Sequence, residues 1–420
     1  MAAVEDLQVY VEGSNVKVRG QITGKIVEEG ALNEAGSTIQ STVDRLAEEG
    51  GGEIRLSRGF FPLEREIRLA SRILLRGSGR GTVLQLSGEN KSGVGLYCKG
   101  CEGIAIGDLT ILADQESKSD AGLILDDCGD SEVRNIHAKG FSKYGIWVRN
   151  NSFLCKVAGS NVSGNEVANI YLERLEHGGR CGDYVPNLVT NCITYGGGNG
   201  IELKRVVVAN ILGCAVFQPR GHGYYIHDRS NSVIVSGCRS FQCEKNAVLV
   251  ESSHEINISS NIFCWQRGHG IELSSVTWGA INGNEVIDSG VRHDPPTIGI
   301  WLHNGTRLVQ AVGNTVFNWF DQQPMSVGIK EEEGCDKNIF IGNIINYYTD
   351  SEIESHGRNT IVEKNLGDHM GFDPEQKEPI PFYRMWHAMG PFEKNQVRRT
   401  PEYSRMRLEK FLGGREDAGS

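Results

Sequence analysis

Residues 199–227, NGIELKRVVVANILGCAVFQPRGHGYYIH, contain one complete unit of the repeat that decides the fold. The unit opens on GIELKR (200–205), a small residue followed by alternating apolar and variable residues. The pattern returns 23 residues later as GYYIHD (223–228). The other copies are GLILDD (122–127), GIWVRN (145–150), NIYLER (169–174), AVLVES (247–252), GIELSS (270–275), GIWLHN (299–304) and GIKEEE (328–333). Alternation with a period of two predicts strands, not helices.

The spacing of the copies indicates a stacked coil. Successive copies are separated by 23, 24, 31, 23, 24, 23, 29 and 29 residues, so the base unit is short and three units carry insertions. Runs rich in β-branched residues, SVIVSG (232–237), EINISS (255–260) and NIFIGN (338–343), predict further strands between the copies. Three short strands per turn predict a parallel β-solenoid.

A second marker stands about ten residues before the next strand in each unit. Its members are Asn135, Asn161, Asn191, Cys214, Cys238, Asn261, Asn284, Asn314 and Asn343. Asn tolerates left-handed backbone geometry, and its amide can bond to an identical amide stacked above it. We therefore expect a column of Asn at one repeated turn, with Cys occupying it twice.

The ends of the chain differ from the repeat. Residues 36–50 carry apolar side chains at helical spacing and predict an amphipathic helix that caps the open end of the solenoid. We predict an N-terminal strand segment at 1–35, a β-helix catalytic domain at 36–366, and a C-terminal cap or oligomerisation arm at 367–420.

Composition narrows the partners. The formal charge of −10 argues against nucleic acid as a partner, and the 420 residues contain no apolar run of membrane-spanning length.

Eleven cysteines without regular pairing favour buried free thiols, which are compatible with the cytoplasm. Cys98 and Cys101 have no second pair at metal-ligand spacing, so no metal site is predicted. No signal peptide is evident in residues 1–30, and the localisation stays open.

The capping segment 36–49, GGEIRLSRGFFPLEREIRL (51–69), RILLRGSGRGTVLQL (72–86) and the coils to about 366 resemble the pectate-lyase-like superfamily of right-handed parallel β-helix proteins. The resemblance implies an all-β, right-handed parallel β-helix with an N-terminal capping helix and an irregular C-terminal tail. It also implies an oligo- or polysaccharide substrate, and a homotrimer is a possible assembly. Hydrolases, lyases, transferases and epimerases share this fold, so the resemblance does not choose among them.

The variable positions of the recurrent strand point outward and form two columns across the coils. The first outward column is Trp147, Tyr171, Glu202, Tyr225, Leu249, Glu272, Trp301 and Lys330. The second is Arg149, Glu173, Lys204, His227, Glu251, Ser274, His303 and Glu332. Aromatic rings among polar groups are typical of a sugar-binding groove, although rings packed beneath inserted loops would give the same pattern. The predicted substrate-binding residues are Trp147, Tyr171, Glu173, Lys204, Tyr225, Trp301 and His303.

Paired carboxylates on these columns suggest glycosidic cleavage or transfer. Glu173 with Glu202, and Glu251 with Glu272, lie on diagonals about 8 Å apart at Cβ. We predict Glu202 as the general acid, because the flanking tyrosines would favour its protonated form. Glu251 or Glu272 would supply the second carboxylate, with His227 beside Glu251. Inulin fructotransferases share the β-helix and a carboxylate mechanism, without a specific motif here.

Inserted loops are expected to wall the groove, with Arg292 and Asp294 as further binding candidates. A polysaccharide lyase or C5-epimerase acting on uronate polymers is an alternative, in which the proton is abstracted by Lys204, His227, Tyr225 or Arg220. No cofactor is predicted for a hydrolase, whereas a lyase would bring in calcium. A glycan-binding or structural β-helix without catalysis is the remaining alternative.

Overall fold

The structure is a computed structural model that describes residues 5–114, 118–174, 185–290, 297–318, 325–346 and 348–368. The predicted C-terminal cap or arm therefore lies almost wholly outside the described residues. Within these ranges, no helix is both long enough and apolar enough to cross a membrane.

The N-terminal elements are β1 (Leu7–Glu12), β2 (Asn15–Gly20), β3 (Ile26–Ala31), a 3₁₀ turn (Leu32–Glu34), α1 (Ala35–Glu48), β4 (Gly52–Leu56), β5 (Gly59–Leu63), β6 (Ile67–Leu69), β7 (Ile73–Arg76), β8 (Thr82–Leu86), β9 (Val94–Lys99) and β10 (Ala105–Leu112). The next are β11 (Ala121–Asp126), β12 (Glu132–Lys139), β13 (Tyr144–Arg149), β14 (Lys156–Ala158), β15 (Asn161–Ser163), β16 (Ala168–Glu173), β17 (Asn187–Thr190), β18 (Ile193–Tyr195), β19 (Asn199–Lys204), β20 (Ala209–Leu212) and β21 (Ala215–Phe217). They continue with β22 (Tyr224–His227), β23 (Asn231–Ser236), β24 (Arg239–Phe241), β25 (Val248–Glu251), β26 (His254–Ser259), β27 (Ile262–Cys264), β28 (Ile271–Ser274), β29 (Thr277–Asn282) and β30 (Glu285–Ile287). The last are β31 (Ile298–His303), β32 (Arg307–Val312), β33 (Thr315–Phe317), β34 (Met325–Glu331), β35 (Ile339–Ile341), β36 (Ile344–Asn346), β37 (Tyr348–Ser355), β38 (Ile361–Glu363) and β39 (Leu366–Asp368).

The coils stack as the repeat predicts. One coil contributes β19 to a sheet that contains twelve strands over the described residues, and contributes β20 and β21 to the other, larger sheet. Each of these strands pairs in parallel with its equivalent one coil later, as β19 does with β22. Three strands per turn in a parallel β-helix are confirmed. Among the strands that the structure describes, antiparallel pairing is limited to the N-terminal strands β1, β2 and β3.

The core is the interior of the coil stack. The inward residues of the recurrent strand are all buried, which confirms the alternation deduced from the sequence. They are Ile146, Val148, Ile170, Leu172, Ile201, Leu203, Tyr224, Ile226, Val248, Val250, Ile271, Leu273, Ile300 and Leu302. Each coil on its own exposes this apolar strip, and stacking the coils removes it from water.

The Asn column exists, but three of its nine predicted members, Asn135, Asn161 and Asn191, lie one residue away from it. Asn261, Asn284, Asn314 and Asn343 are buried, and each Nδ2 donates at 2.9 Å to the Oδ1 of the next Asn in the column, ending at Asn365. Cys238 continues the column, because its backbone N–H donates to Asn261.

The prediction for the first three members was wrong. Asn135 and Asn191 are exposed and adopt positive φ angles of 50° and 52°. In the coil of Asn191, the column position belongs to the buried Cys192, which directly follows Asn191. In the coil of Asn161, the equivalent position belongs to Ser160, which directly precedes Asn161. Both residues of each pair are small or polar, so sequence alone did not distinguish the turn from the stacked position.

The capping helix is confirmed as α1, which begins at Ala35 after the 3₁₀ turn. Its apolar face is buried, with Ile39, Val43 and Leu46 fully inaccessible. A side chain from a distant loop, rather than a local Ser or Thr, caps the helix. Glu64 accepts hydrogen bonds from the backbone N–H groups of Gly36 and Ser37 at 2.9 and 2.7 Å. A carboxylate at this end also complements the helix dipole.

The ten cysteines of the described residues are all buried and free. Several stack coil on coil, and their thiols lie close to backbone carbonyl oxygens, as Cys214 Sγ does to Val189 O at 3.4 Å. These side chains therefore fill the core and form no disulfide among themselves.

Candidate active site on the twelve-strand sheet

The outward columns form as expected. The pairing of β13, β16, β19, β22, β25, β28, β31 and β34 aligns all eight residues of the first outward column. The same pairing aligns Arg149 through His227, and Glu251 through His303, in the second column. Side chains that are 20 to 30 residues apart in sequence therefore meet on one face.

The first carboxylate centre, defined as Asn199, Glu202, Tyr225, His227 and Glu251, is built around the single strand β22. The Tyr225 and His227 rings on this strand stack at 4.1 Å between centroids with an interplanar angle of 9°. His227 Nε2 lies 3.2 Å from Glu202 Oε1 on the preceding coil. The Tyr225 hydroxyl donates to Glu251 Oε2 on the following coil. One strand thus links two carboxylates through two different rings.

This pairing differs from the arrangement expected from the columns. Sequence placed His227 beside Glu251, whereas the imidazole reaches diagonally back to Glu202 and the phenol reaches diagonally forward to Glu251. Glu202 is also held by Asn199 Nδ2 at 2.6 Å and is only 7% exposed. Burial and the bond to Glu251 raise the pKa of Tyr225, so its hydroxyl is a proton donor at neutral pH.

Sequence analysis missed His222, which packs beside this centre. Its ring is tilted against Tyr225 at 5.3 Å, and its backbone N–H donates to Asn199 Oδ1 at 2.8 Å. The Nδ1 atom is buried and has no hydrogen-bond partner among the described residues. Burial, assisted by the charge of Lys245, lowers the pKa of His222 to about 4. The imidazole is therefore neutral at physiological pH.

Acidification is expected to destabilise the fold through His222. The unfolded chain protonates this imidazole near pH 6.5, whereas the folded chain does so only near pH 4. Stability from the neutral ring is fully present above pH 6.5 and is lost as the pH falls toward 4. The loss is about 3 kcal/mol. We expect His222→Gln to reduce the fall in the free energy of unfolding between pH 7 and pH 4, measured by urea denaturation.

His254→Gln serves as the matched control, because His254 is only partly buried and lies on the other sheet, in β26. That variant should keep the full pH dependence of the unmodified chain. An equally steep fall in stability for His222→Gln would contradict the assignment of the effect to His222.

A second carboxylate centre, defined as Asn246, Glu272, His269, Trp301 and His303, lies further along the same face. His303 Nε2 is 3.0 Å from Glu272 Oε1, and Asn246 Nδ2 donates to Glu272 Oε2 at 2.5 Å. Trp301 stacks on His303 at 4.1 Å between centroids. Burial acts to raise the pKa of Glu272, but the bonds from His303 and Asn246 and the charges of His269 and His303 hold it below its usual value. Glu272 is therefore ionised.

Aromatic side chains cover the face on the N-terminal side of Glu202. Trp147 and Tyr171 lie where the first outward column placed them, and Tyr144, which sequence analysis missed, stacks on Tyr171 at 4.3 Å. Burial raises the pKa of Tyr144 to about 12. Arg149 lies over the Trp147 ring at 4.6 Å and bonds Asp126 at 2.7 Å. This set, Tyr144, Trp147, Tyr171 and Arg149, is called the aromatic shelf.

Glu173 has a different environment from the other carboxylates. Its Oε1 lies 3.8 Å from Lys204 Nζ and 3.5 Å from an Arg205 guanidinium nitrogen. Glu173 and Glu202, the diagonal pair expected from the columns, do not contact each other through a hydrogen bond. Glu202 instead bonds Asn199 and His227. Glu173 and Lys204 therefore form an ion pair at the edge of the shelf.

Two predicted binding residues, Arg292 and Asp294, lie outside the described residues. Within the described ranges, no three His, Cys, Asp or Glu side chains are grouped so that they could hold a metal ion. The repeated HG dipeptides at 222–223 and 269–270 were the available sequence signal for the missed residues His222 and His269.

Comparison with known proteins confirms the fold. Residues 150–316 match the model of the right-handed β-helix region. The A-module of the mannuronan C-5 epimerase AlgE6 of Azotobacter vinelandii is similar in structure, with a TM-score of 0.70 and 15% identity over 79% of this chain and 95% of the module. No curated protein matches the sequence significantly.

Two further structures are similar at lower scores. A tailspike mutant of E. coli bacteriophage HK620 in complex with a hexasaccharide has a TM-score of 0.52 and 12% identity over 76% of this chain and 67% of that one. The catalytic domain of a GH87 α-1,3-glucanase in complex with nigerose has a TM-score of 0.50 and 13% identity over 74% of this chain and 64% of that one. At these identities the likeness concerns the fold.

Proposed function

We propose that this chain, which has the fold of the right-handed parallel β-helix proteins, is a carbohydrate-active enzyme. It cleaves or transfers a glycosidic bond at the first carboxylate centre. The observation that carries the proposal is the pair of stacked rings on β22, which bond one carboxylate on each neighbouring coil. Glycosidic chemistry needs two carboxyl groups in different protonation states.

The two carboxylates have unlike surroundings. Glu251 accepts a hydrogen bond from the Tyr225 phenol, which keeps its proton. Glu202 Oε1 lies 3.2 Å from His227 Nε2, so the two side chains share one hydrogen bond in a site only 7% exposed. We assign proton donation to this Glu202–His227 pair as a unit, and the role of base or nucleophile to Glu251.

The aromatic shelf gives the substrate a place to lie. Flat rings contact the C–H faces of sugars. Tyr144 and Trp147 are the partly exposed rings of the shelf, whereas Tyr171 is only 3% exposed and supports Tyr144 by stacking. The shelf ends at Glu202, which pairs with Tyr171 in the first outward column. The cations beside the centre face two carboxylates. Lys204 and Arg205 lie 3.8 and 3.5 Å from Glu173, and Arg205 also lies 3.2 Å from Asp228, so their charges are compensated. This compensation favours a neutral glycan. The similar α-1,3-glucanase and tailspike structures, which hold saccharides, support an oligo- or polysaccharide substrate.

Elimination or C5 epimerisation of a uronate is the second candidate. The adjacent side chains of Tyr225 and His227 are of the types that remove and return a proton beside a carboxylate. The similar AlgE6 module is named a mannuronan C-5 epimerase. In that reaction calcium would neutralise the uronate charge.

An activity screen separates the two candidates. The chain is incubated with fructan, galactan, α-1,3-glucan and mannuronan, each with and without chelator. We expect new reducing ends or transfer products from a neutral polymer, without absorbance of an unsaturated uronate and without chelator sensitivity. Unsaturated products or epimerised residues from mannuronan would favour the second candidate, and binding without turnover on every polymer would overturn both.

A further inference from the structure

The two carboxylate centres share one construction. In each, an Asn Nδ2 donates to a Glu Oε2, at 2.6 Å in the first and 2.5 Å in the second. In each, a His Nε2 on the following coil lies within 3.2 Å of the other carboxylate oxygen. In each, that imidazole stacks at 4.1 Å on the aromatic ring two residues before it.

The likeness extends to the residues behind the rings. A second His packs obliquely on each aromatic ring, His222 on Tyr225 and His269 on Trp301. The backbone N–H of each such His donates to the Oδ1 of the centre's Asn, at 2.8 and 2.9 Å. Five contacts thus recur at two places, although nothing in a β-coil requires an Asn, a Glu and two His together. The chain supplies them differently, because Asn199 precedes Glu202 on β19, whereas Asn246 lies on the coil before Glu272.

The centres are separated along the coil stack. Glu202 and Glu272 occupy the same column three coils apart, which corresponds to about 14 Å. A single sugar ring cannot contact both, whereas a chain of several sugars lying along the stack passes over Glu202, Tyr225, Leu249 and Glu272 in turn.

We propose that the second carboxylate centre binds a sugar unit in its own right, so that the substrate is a linear, neutral oligosaccharide running parallel to the coil axis and contacting both centres. This inference rests on the proposed function. Trp301, which stays partly exposed although His303 stacks on it, supplies apolar surface for the sugar ring, and Glu272 and His303 supply an acceptor and a second polar group for hydroxyls. Because Glu272 is ionised, it repels an anionic chain and favours a neutral sugar unit at this centre.

The Trp301 side chain carries a further indication. Its Nε1 is buried and has no hydrogen-bond partner among the described residues, as is also true of His222 Nδ1 at the first centre. The position of the ring is fixed instead by His303 stacked on it and by His269 packed obliquely against it. Each centre therefore presents an aromatic ring whose orientation is set by the His packed on it.

The test counts binding sites by isothermal titration calorimetry. The Glu251→Gln variant is used to prevent turnover, and the probes are the disaccharide and hexasaccharide of α-1,3-glucan, fructan and galactan. We expect at least one disaccharide to bind at about two sites per chain and its hexasaccharide at one. Adding Trp301→Ala should remove one disaccharide site and weaken the hexasaccharide about tenfold, the usual worth of one stacked ring. Trp278→Ala, which removes an exposed Trp from the other sheet, is the control and should change neither.

The outcomes distinguish this inference from the proposed function. One disaccharide site, unaffected by Trp301→Ala, would overturn the second binding centre and leave turnover at Glu202 standing. Equal affinities for disaccharide and hexasaccharide would also overturn it. Binding of no probe, together with no turnover of any polymer, would overturn both. A folded state for Trp301→Ala is verified by its thermal unfolding transition before titration.

Discussion

Replacement of Glu202 by Gln is expected to lower kcat on the polymer identified in the screen about a thousandfold, the range typical of a lost general acid. Gln is nearly isosteric and still reaches Asn199 and His227, but it cannot release a proton. The free energy of unfolding should therefore change little while turnover is lost. Initial rates of product formation, followed by chromatography, give the measurement.

Glu285→Gln is the matched control, because Glu285 is an exposed carboxylate on β30, in the other sheet. It should keep full activity. Glu251→Gln should lose turnover to a similar degree, while Glu272→Gln should mainly raise KM for long substrates. If Glu202→Gln retained more than a tenth of the activity, the first carboxylate centre would not be the catalytic site.

Replacement of Asn314 by Ala is expected to lower the free energy of unfolding by about 4 kcal/mol, since several buried groups lose their partners at once. Asn314 Nδ2 donates to Ile281 O and to Asn343 Oδ1, and its Oδ1 accepts from the backbone N–H and the Nδ2 of Asn284. The Ala variant leaves these groups buried and unsatisfied. Urea denaturation at neutral pH measures the change.

Asn33→Ala provides the comparison, because Asn33 is exposed in the 3₁₀ turn before α1. That substitution should change stability by no more than about 0.5 kcal/mol. A loss below 1 kcal/mol for Asn314→Ala would mean that the column contributes little beyond filling the turn.

The Asn column illustrates where sequence reasoning succeeded and where it stopped. From Asn261 onward the marker coincided with the buried stack, because these coils repeat Asn itself at that position. At Asn191 the sequence marker falls on the exposed turn residue, whereas the neighbouring Cys192 occupies the buried stack. Both sites accept small or polar side chains, and only the packing of one coil on the next distinguishes them.

The site shows the same boundary. Sequence placed Glu202, Tyr225, His227 and Glu251 on one face, because strand alternation and coil spacing fix which side chains point outward. The sequence did not predict which of these side chains contact each other. Long side chains on adjacent columns reach either along their column or across it, and His227 takes the diagonal to Glu202.

The amino-acid sequence by itself determined the β-helix, its inward core and its outward columns, because these depend on a periodicity that each coil repeats locally. Only the tertiary structure decided which carboxylate each ring contacts, that Glu64 caps α1 from a distant loop, and that two centres share one construction. Those contacts join residues from different coils, and their energies depend on side-chain directions and burial that no local pattern encodes.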